Sequence, residues 1–194
     1  MECTDEQGKT LLNLARRTIA SRLGCGEAPE SGDHYRELQR QGAVFVTLKK
    51  RGRLRGCIGN LEPVGPLWQG VRDNALNAAF NDYRFPPLTA EEIDDVHIDI
   101  SILGPPVPLE YNDADDLLAK LRPGRDGVIL RLGSARATFL PHVWQQLPNP
   151  EDFLDHLCRK AGLSDSAWRH SHPEIRIYQV QSFEEEKGER TPAP

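Results

Sequence analysis

Two β-rich hairpin patterns constrain the fold of this chain more than any other feature. The first, "GAVFVTLKKRGRLRGCIG" (42–59), consists of two runs joined at Arg51-Gly52, and the second, "GVILRLGSARATFL" (127–140), turns near Gly133-Ser134. After each hairpin the chain passes a proline and reaches a tryptophan, in "EPVGPLW" and "LPHVW". These patterns predict antiparallel pairing, and one interpretation is a duplicated β-hairpin–helix unit.

Helical periodicity predicts the elements between and around the hairpins. Thr4 and Gln7 have the spacing of a capping box, an apolar stripe follows, and Gly24 ends it. Further helices are predicted in "PLWQGVRDNALNAA" (66–79), over 112–121 with Asn112 or Asp113 as its cap, and in "PEDFLDHLCRKAG" (150–162). Strands and helices without regular β-α alternation predict an α+β class, with an antiparallel or mixed sheet and packed helices.

A third strand signal is the segment "VHIDISIL" (96–103), in which apolar and polar residues alternate. Four aliphatic residues face one way, and His97, Asp99 and Ser101 face the other, which predicts a half-buried antiparallel strand with a solvated polar face. "EIRIYQVQSF" (174–183) is predicted as the last strand. We expect a single domain over residues 1–184, with two lobes as an option, and a polar disordered tail over 185–194.

Charge and cysteine usage exclude several classes of function. A net charge of −5 over 194 residues gives no general attraction for a polyanion, so nucleic acid is not expected as the main partner. The basic run from Lys49 to Arg53 is the exception, and it is interpreted as a solvated hairpin tip. Four separated cysteines, with no signal peptide and no membrane-length apolar run, predict free thiols in the cytoplasm and no metal site.

The stretch "GRLRGCIGNL" (52–61) holds the candidate catalytic residue, Cys57. Period two places Arg55 and Cys57 on one strand face, about 7 Å apart, and a guanidinium at that distance favours the thiolate. Leu54 and Ile58 then face the core, and Gly56 leaves room for another backbone. The alternative is that Cys57 is a structural residue, because free cysteines are commonly buried.

The loop "NDYRFPPLT" (81–89) holds a second group of candidates, Asp82, Arg84 and Phe85, in a segment stiffened by two prolines. The three side chains either line a ligand cleft, or the charge pair simply ties the loop down. No partner base for Cys57 is evident. His142 and the two histidines of "HSHP" (170–173) are interpreted as surface residues, and no nucleotide-binding motif is present.

In its ordered set of motifs, the chain resembles the AMMECR domain family of the AmmeMemoRadiSam type. The segments that carry the resemblance lie between about residues 9 and 184 and are "LRGCIG", "FNDYRFPPLTAEEI", "ISIL", "GVIL", "ATFLPHVW" and "FLDHLCRKAGL". Tyr83 and His142 depart from the pattern, since the family often has proline and glutamine there. A histidine that the family does not require is a poor candidate for a general base.

The resemblance implies a compact α+β domain with a larger and a smaller lobe, and it places "LRGCIG" beside the groove between them. Ligand contacts are then expected from Arg55, Gly56, Gly59, Asp82, Arg84 and Phe85. The resemblance implies two companions, a Memo-type protein and a radical-SAM protein, but it supplies no reaction, cofactor or oligomeric state. The hypotheses are therefore a pathway component with Cys57 as nucleophile or carrier, and a non-catalytic adaptor that docks partners through a groove or a tryptophan (Trp68, Trp144 or Trp168).

Overall fold

The computed structural model describes residues 2–30 and 32–185, which form two compact units. The first comprises residues up to 103 and those from 181, and the second is Gly104–Val180. The α-helices are α1 (Asp5–Leu23), α2 (Leu67–Leu76), α3 (Ala114–Lys120), α4 (Pro150–Lys160) and α5 (Ala167–His170). The strands are β1 (Ala43–Lys50), β2 (Arg53–Gly59), β3 (Val96–Leu103), β4 (Val107–Pro108), β5 (Gly127–Leu132), β6 (Ala135–Phe139), β7 (Glu174–Tyr178) and β8 (Val180–Glu184).

The predicted α+β class is confirmed, with helices and two antiparallel four-stranded sheets. The first unit contains the order β2-β1-β3-β8 and the second the order β4-β7-β5-β6. In both sheets the hairpin occupies one edge, its first strand pairs with a later strand, and a helix intervenes along the chain. The two sheets therefore share a hairpin–helix–strand core, which agrees with the repeat suggested by the sequence.

Local sequence signals fix the ends of the helices. Thr4 Oγ1 accepts a hydrogen bond from the Gln7 N–H, and the Gln7 side chain accepts one from the Thr4 N–H, so the capping box is complete. Gly24 ends α1 with φ of 74°, a left-handed conformation that suits glycine. Asp113 caps α3, and α4 begins with Pro150.

The core of the first unit lies against one face of its sheet. The apolar residues of β3 are buried as the alternation predicted, and they join residues of α1, α2 and β1 in one cluster, including Leu11, Ile19, Val46, Leu48, Val71, Ile98 and Ile100. Helix α2 continues into a π-helical turn, Asn77–Asn81, so helical structure extends two residues beyond the predicted end at residue 79. A 3₁₀ helix, Gly32–Leu38, packs Tyr35 on Trp68, and a second one, Ala90–Asp95, leads into β3.

The first hairpin contains a correction to the predicted face assignment. Arg51 and Gly52 have φ of 51° and 77°, as a two-residue hairpin turn requires. However, the β1–β2 register shifts beside Leu48, which pairs with Gly56 while Lys49 pairs with Leu54. This bulge breaks the period of two, so Leu54 is 44% exposed and Arg55 is buried, the reverse of the expectation.

In the second unit, the predicted hairpin and α4 are confirmed, and their apolar side chains form a separate cluster. Trp144 stacks on Phe153 with ring centroids 3.6 Å apart, and the Trp168 indole donates to Asp155. Trp68, Trp144 and Trp168 are all buried and each contributes to a core, so none is the exposed tryptophan that the adaptor hypothesis allowed.

The run predicted as one final strand is divided at Gln179. Its first part is β7 in the sheet of the second unit, and its second part is β8 in the sheet of the first. The Gly104 N–H donates to the Gln179 carbonyl at 2.8 Å, where the chain enters and leaves the second unit. Glu185, assigned by the sequence to the tail, accepts hydrogen bonds from Arg16 and from the Ile98 N–H, and residues 186–194 lie outside the described part of the chain.

Candidate functional site

A row of polar side chains crosses the face of the first sheet that is opposite the hydrophobic core. Thr47 of β1 pairs in register with Cys57 of β2 on one side and with Asp99 of β3 on the other. Directly paired residues of antiparallel strands project to the same face. Three adjacent strands therefore place a thiol, a hydroxyl and a carboxylate side by side, within one unit.

The thiol of Cys57 contacts the hydroxyl of its neighbour. Thr47 Oγ1 lies 3.3 Å from Cys57 Sγ and donates toward the sulfur. Cys57 is half-buried, whereas Cys3 and Cys158 are buried and Cys25 is exposed. All four cysteines are free thiols, as the sequence predicted.

Asp99 is a buried carboxylate on a strand face that the sequence indicated to be solvated. It is only 7% exposed, and its Oδ1 accepts no hydrogen bond from the described residues. Its Oδ2 forms an ion pair with Lys49 Nζ. Burial raises the pKa of Asp99 above its ordinary value, the contact with Lys49 only partly offsets this effect, and the same contact raises the pKa of Lys49.

Lys49 extends the row toward the end of the sheet. It pairs with His97 across the β1–β3 ladder, so both side chains share the face of Cys57, and its Nζ also lies 3.9 Å from a Glu184 carboxylate oxygen. Ser101 lies at the opposite end of the same face. This face therefore combines a thiol with hydroxyl, ammonium, imidazole and carboxylate groups, a set whose chemistry suits binding of a polar ligand and proton transfer.

Asp82 and Arg84 fix the backbone of Cys57 from the outer side of β2, the edge strand. Asp82 Oδ2 accepts the Cys57 N–H at 2.9 Å, and Arg84 Nη2 donates to the Cys57 carbonyl at 3.2 Å. The guanidinium also makes a two-pronged ion pair with Asp82, which holds the pKa of that carboxyl well below its usual range. The guanidinium lies over the ring of Phe85, with 5.5 Å between its carbon and the ring centroid.

The loop thus ties itself down, which was one of the two predicted alternatives, and it also reaches the candidate cysteine. Asp82 is buried, while the side chain of Arg84 is 42% exposed. The charges of Asp82 and Arg84 cancel, so the pair adds little net positive potential near Cys57. Its main effect is to hold the Cys57 backbone in place. Ligand contacts from Asp82, Arg84 and Phe85 stay predictions.

Arg55 does not stand beside Cys57 as the alternation suggested. Its Nε and Nη2 bind the two carboxylate oxygens of Glu92, at 3.2 and 2.8 Å, and Lys50 Nζ lies 2.8 Å from Glu92 Oε1. These two cations hold the pKa of Glu92 at about 2. The bulge at Arg55 explains the difference, because it turns the side chain toward the 3₁₀ helix that carries Glu92.

The two candidate glycines have structural reasons to be glycine. A Cβ on Gly56 would lie 2.1 Å from the Ala78 carbonyl oxygen, so the predicted close backbone approach is confirmed. A Cβ on Gly59 would lie 2.2 Å from the ring of Phe45, its partner in the ladder. A role for either glycine in contacting a ligand stays a prediction.

The remaining sequence candidates lie elsewhere. His142 is exposed on the 3₁₀ helix Pro141–Gln145 of the second unit. Within the described ranges, no group of three potential ligands could hold a metal ion. No helix of that same part of the chain has both the length and the apolar character needed to cross a bilayer.

Sequence reasoning missed Thr47, Lys49 and Asp99 as members of the Cys57 face. The signal was present in two separate patterns: the strand face of His97, Asp99 and Ser101, and the polar positions of β1. What was missing was the register that aligns them across three strands, with almost fifty residues between Lys49 and His97.

Comparisons with known proteins agree with this fold over almost the whole chain. An AMMECR1 family model matches residues 12–183. A protein of Thermofilum pendens is 39% identical, covering 93% of this chain and 90% of that protein, and one of Methanocaldococcus jannaschii is 41% identical, covering 94% and 92%. The crystal structure of an uncharacterized protein from Pyrococcus horikoshii has a TM-score of 0.84 and 35% identity, covering 96% of this chain and 95% of its own. This chain belongs to the AMMECR1 family.

Proposed function

We propose that this protein binds a small molecule or a modified side chain on the outer face of its first sheet, where Cys57 acts as a nucleophile or transient covalent carrier. One observation carries the proposal: Cys57 Sγ lies 3.3 Å from the Thr47 hydroxyl, in a row with the buried carboxylate of Asp99. A thiol alone would be weak support. Asp99 adds a buried acceptor atom with no described partner on the same face.

In the proposed step, Sγ attacks an electrophilic carbon of the ligand and forms a carbon–sulfur bond. The displaced group leaves with the electron pair of the bond that breaks, and it takes up the thiol proton through solvent. The Thr47 hydroxyl, which donates toward sulfur, stabilises negative charge there as the thiol ionises. As a carrier, Cys57 would return to a thiol when a second nucleophile removes the bound group.

The Asp82–Arg84 pair supports this role by limiting the backbone motion of the nucleophile. A reacting atom must be held within a fraction of an ångström of its productive position, and an edge strand is otherwise the least restrained part of a sheet. Here the outward amide and carbonyl of Cys57 both have side-chain partners. Strand addition by a peptide at this position would have to displace both.

Intact-mass spectrometry of protein purified from its native cells tests the proposal. We expect a covalent adduct on the wild type and on a Cys25→Ser variant, and none on Cys57→Ser. Cys25 is the matched control because it is a free thiol of the same unit with greater exposure. Equal modification of Cys25 would contradict the covalent role. So would a Cys57→Ser variant that fully replaces the wild type in the cell.

We also propose that the protein works in the cytoplasm with a Memo-type protein and a radical-SAM protein. The resemblance described above supports this assignment, and the four unpaired cysteines are typical of a reducing compartment. A pull-down with the two companions is the direct test. Failure of both to co-purify at micromolar concentration would remove the pathway assignment and leave the chemistry at Cys57 unaffected.

A non-catalytic adaptor is the second candidate, and Tyr83 is the observation that favours it. Its side chain is 94% exposed although its neighbours Asp82 and Arg84 are held in a rigid ion pair. Tyrosine is enriched at the energetic centres of protein interfaces. If Tyr83→Ala abolishes partner capture while Cys57→Ser preserves capture and output, the adaptor function is correct.

A further inference from the structure

We propose that the tip of the first hairpin is a second binding site, for an oxyanion joined to an apolar body. A depression of about 440 Å³ lies there, and its described lining consists of Lys50, Arg51, Arg53 and Leu54. This set offers three cations and one aliphatic side chain. Leu54 pairs with Lys49 and so shares the sheet face of Cys57, but nothing in the proposed reaction uses these four residues.

The charge behind the depression is unbalanced. Lys50 and Arg55 both bind the carboxylate of Glu92, through contacts of 2.8 Å each. Two cations on one carboxylate leave an excess of one positive charge in this cluster. Because the pKa of Glu92 is about 2, its carboxylate is ionised at neutral pH and the excess persists there.

Burial makes this excess charge effective. The Arg55 side chain is only 10% exposed, and its Nη1 donates no hydrogen bond to the described residues. Solvent and salt screen a charge at such a position less than a charge on the surface. We therefore assign Arg55 an electrostatic role behind the site. Lys50 and the exposed rim, which consists of Arg51 and Arg53, make the direct contacts with the oxyanion.

The rim provides cations that can turn toward a ligand. Arg51 is 82% exposed, and its contact with Asp95 is long, at 3.6 Å. Arg53 is exposed and forms no ion pair with any described residue. A guanidinium binds carboxylate or phosphate oxygens through two parallel hydrogen bonds, so this rim suits either oxyanion.

Leu54 specifies the rest of the ligand. It is a 44% exposed aliphatic residue at the edge of a basic depression, placed there by the bulge in β2. An apolar group attached to the oxyanion would cover it and gain affinity from buried area. Nucleic acid fits less well, because it would need many phosphate contacts from a chain with a net charge of −5.

Titrations of ¹⁵N-labelled protein test this inference, with inorganic phosphate, hexyl phosphate and heptanoate as separate probes. We expect amide shifts confined to the hairpin, with tighter binding of the two probes that have alkyl chains. Arg53→Gln should weaken hexyl phosphate about tenfold, as expected for one charge-assisted contact. Leu54→Ala should bring its affinity down to that of inorganic phosphate. The ranking of hexyl phosphate against heptanoate identifies the oxyanion.

Arg125→Gln is the matched control, because Arg125 is an exposed arginine in the second unit and its loss changes the net charge equally. An equal loss of affinity in Arg125→Gln would mean that binding depends on charge alone and would overturn the site. The site is also overturned if no probe shifts the hairpin, or if a single-stranded oligonucleotide shifts it with steep salt dependence while the small probes do not. These readouts do not involve Cys57, so they fail or succeed independently of the proposed function.

Discussion

Asp82 accepts the backbone N–H of Cys57 at 2.9 Å, across 25 positions of sequence. Arg84 completes the arrangement by donating to the carbonyl of the same residue. In an antiparallel ladder, a residue whose amide and carbonyl point outward brings its side chain close to that of its partner. The contact between Cys57 Sγ and Thr47 Oγ1 fits this pairing, and the loop restrains the backbone that carries the thiol.

This relationship predicts a pH-dependent loss of stability in Asp82→Asn. The folded-state pKa of Asp82 lies below its ordinary 3.8, so the ionised carboxylate stabilises the fold above about pH 4, and this contribution is lost as the pH falls. We expect the variant to lose about 2–3 kcal/mol of unfolding free energy at pH 7 and progressively less toward pH 2. Urea unfolding across this pH range measures the difference.

Asp73→Asn is the control, since Asp73 forms an exposed ion pair with the adjacent Arg72. Exposed pairs contribute about 0–1 kcal/mol, so this variant should differ little from the wild type at any pH. If both variants showed the same change in unfolding free energy across this pH range, the hydrogen bond between Asp82 and the Cys57 backbone would not be a significant source of stability.

Gly56→Ala should disrupt the same strand by a steric route. Its Cβ would lie 2.1 Å from the Ala78 carbonyl oxygen, and a backbone atom of the π-helical turn cannot move aside cheaply. We expect a destabilisation of about 1–3 kcal/mol or more, measured as a lower midpoint in urea. Gly65→Ala, whose Cβ would meet no described residue except the Gln69 side chain, at 3.5 Å, should be neutral.

Thr47→Val tests whether the hydroxyl assists the sulfur. Valine has nearly the same shape as threonine but cannot donate a hydrogen bond to Sγ. The rate at which iodoacetamide alkylates Cys57 should therefore fall by about threefold or more. Cys25 in the same molecule is the internal reference, and its rate should not change. An unaltered Cys57 rate would show that the 3.3 Å contact has no chemical effect.

Asp99→Asn should abolish the Cys57 adduct while leaving the stability of the fold almost unchanged. Burial penalises the ionised carboxylate and raises the pKa of Asp99, so the wild type loses stability as the pH rises through that raised value. The neutral amide avoids this cost, and Lys49, 38% exposed, can still reach solvent. We expect unfolding free energy at pH 7 within about 1 kcal/mol of the wild type, together with loss of the Cys57 adduct. A large destabilisation with the adduct retained would show a purely structural role.

The secondary structure was largely predictable from the sequence because its signals are local. The Thr4 capping box, the Gly24 terminus and the Arg51-Gly52 turn each depend on a few adjacent residues, and each is confirmed. The alternation in β3 correctly predicted its buried face. The division of the last strand at Gln179 was not predictable, because both halves have the same apolar character and only the sheets they join distinguish them.

The candidate site was predictable only in part, for a similar physical reason. Cys57 was identified from its glycine neighbours, but the position of Arg55 depends on a bulge that arises where β2 pairs with β1. Likewise, Asp99 is a polar residue at a polar position of β3, and its burial follows from neighbours on other strands. Pairwise register, which no short segment encodes, decides both outcomes.

The contact between Gly104 and Gln179 brings the two ends of the second unit together. The first unit is interrupted once along the chain, and the ends of the interrupting segment meet, which is the geometry that domain insertion requires. When the two ends of an inserted segment meet, the segment can be removed or replaced without changing the strand order of the first unit. A shortened gene that joins β3 to β8 through a brief turn is therefore a rational starting point for obtaining the Cys57 face in a smaller protein.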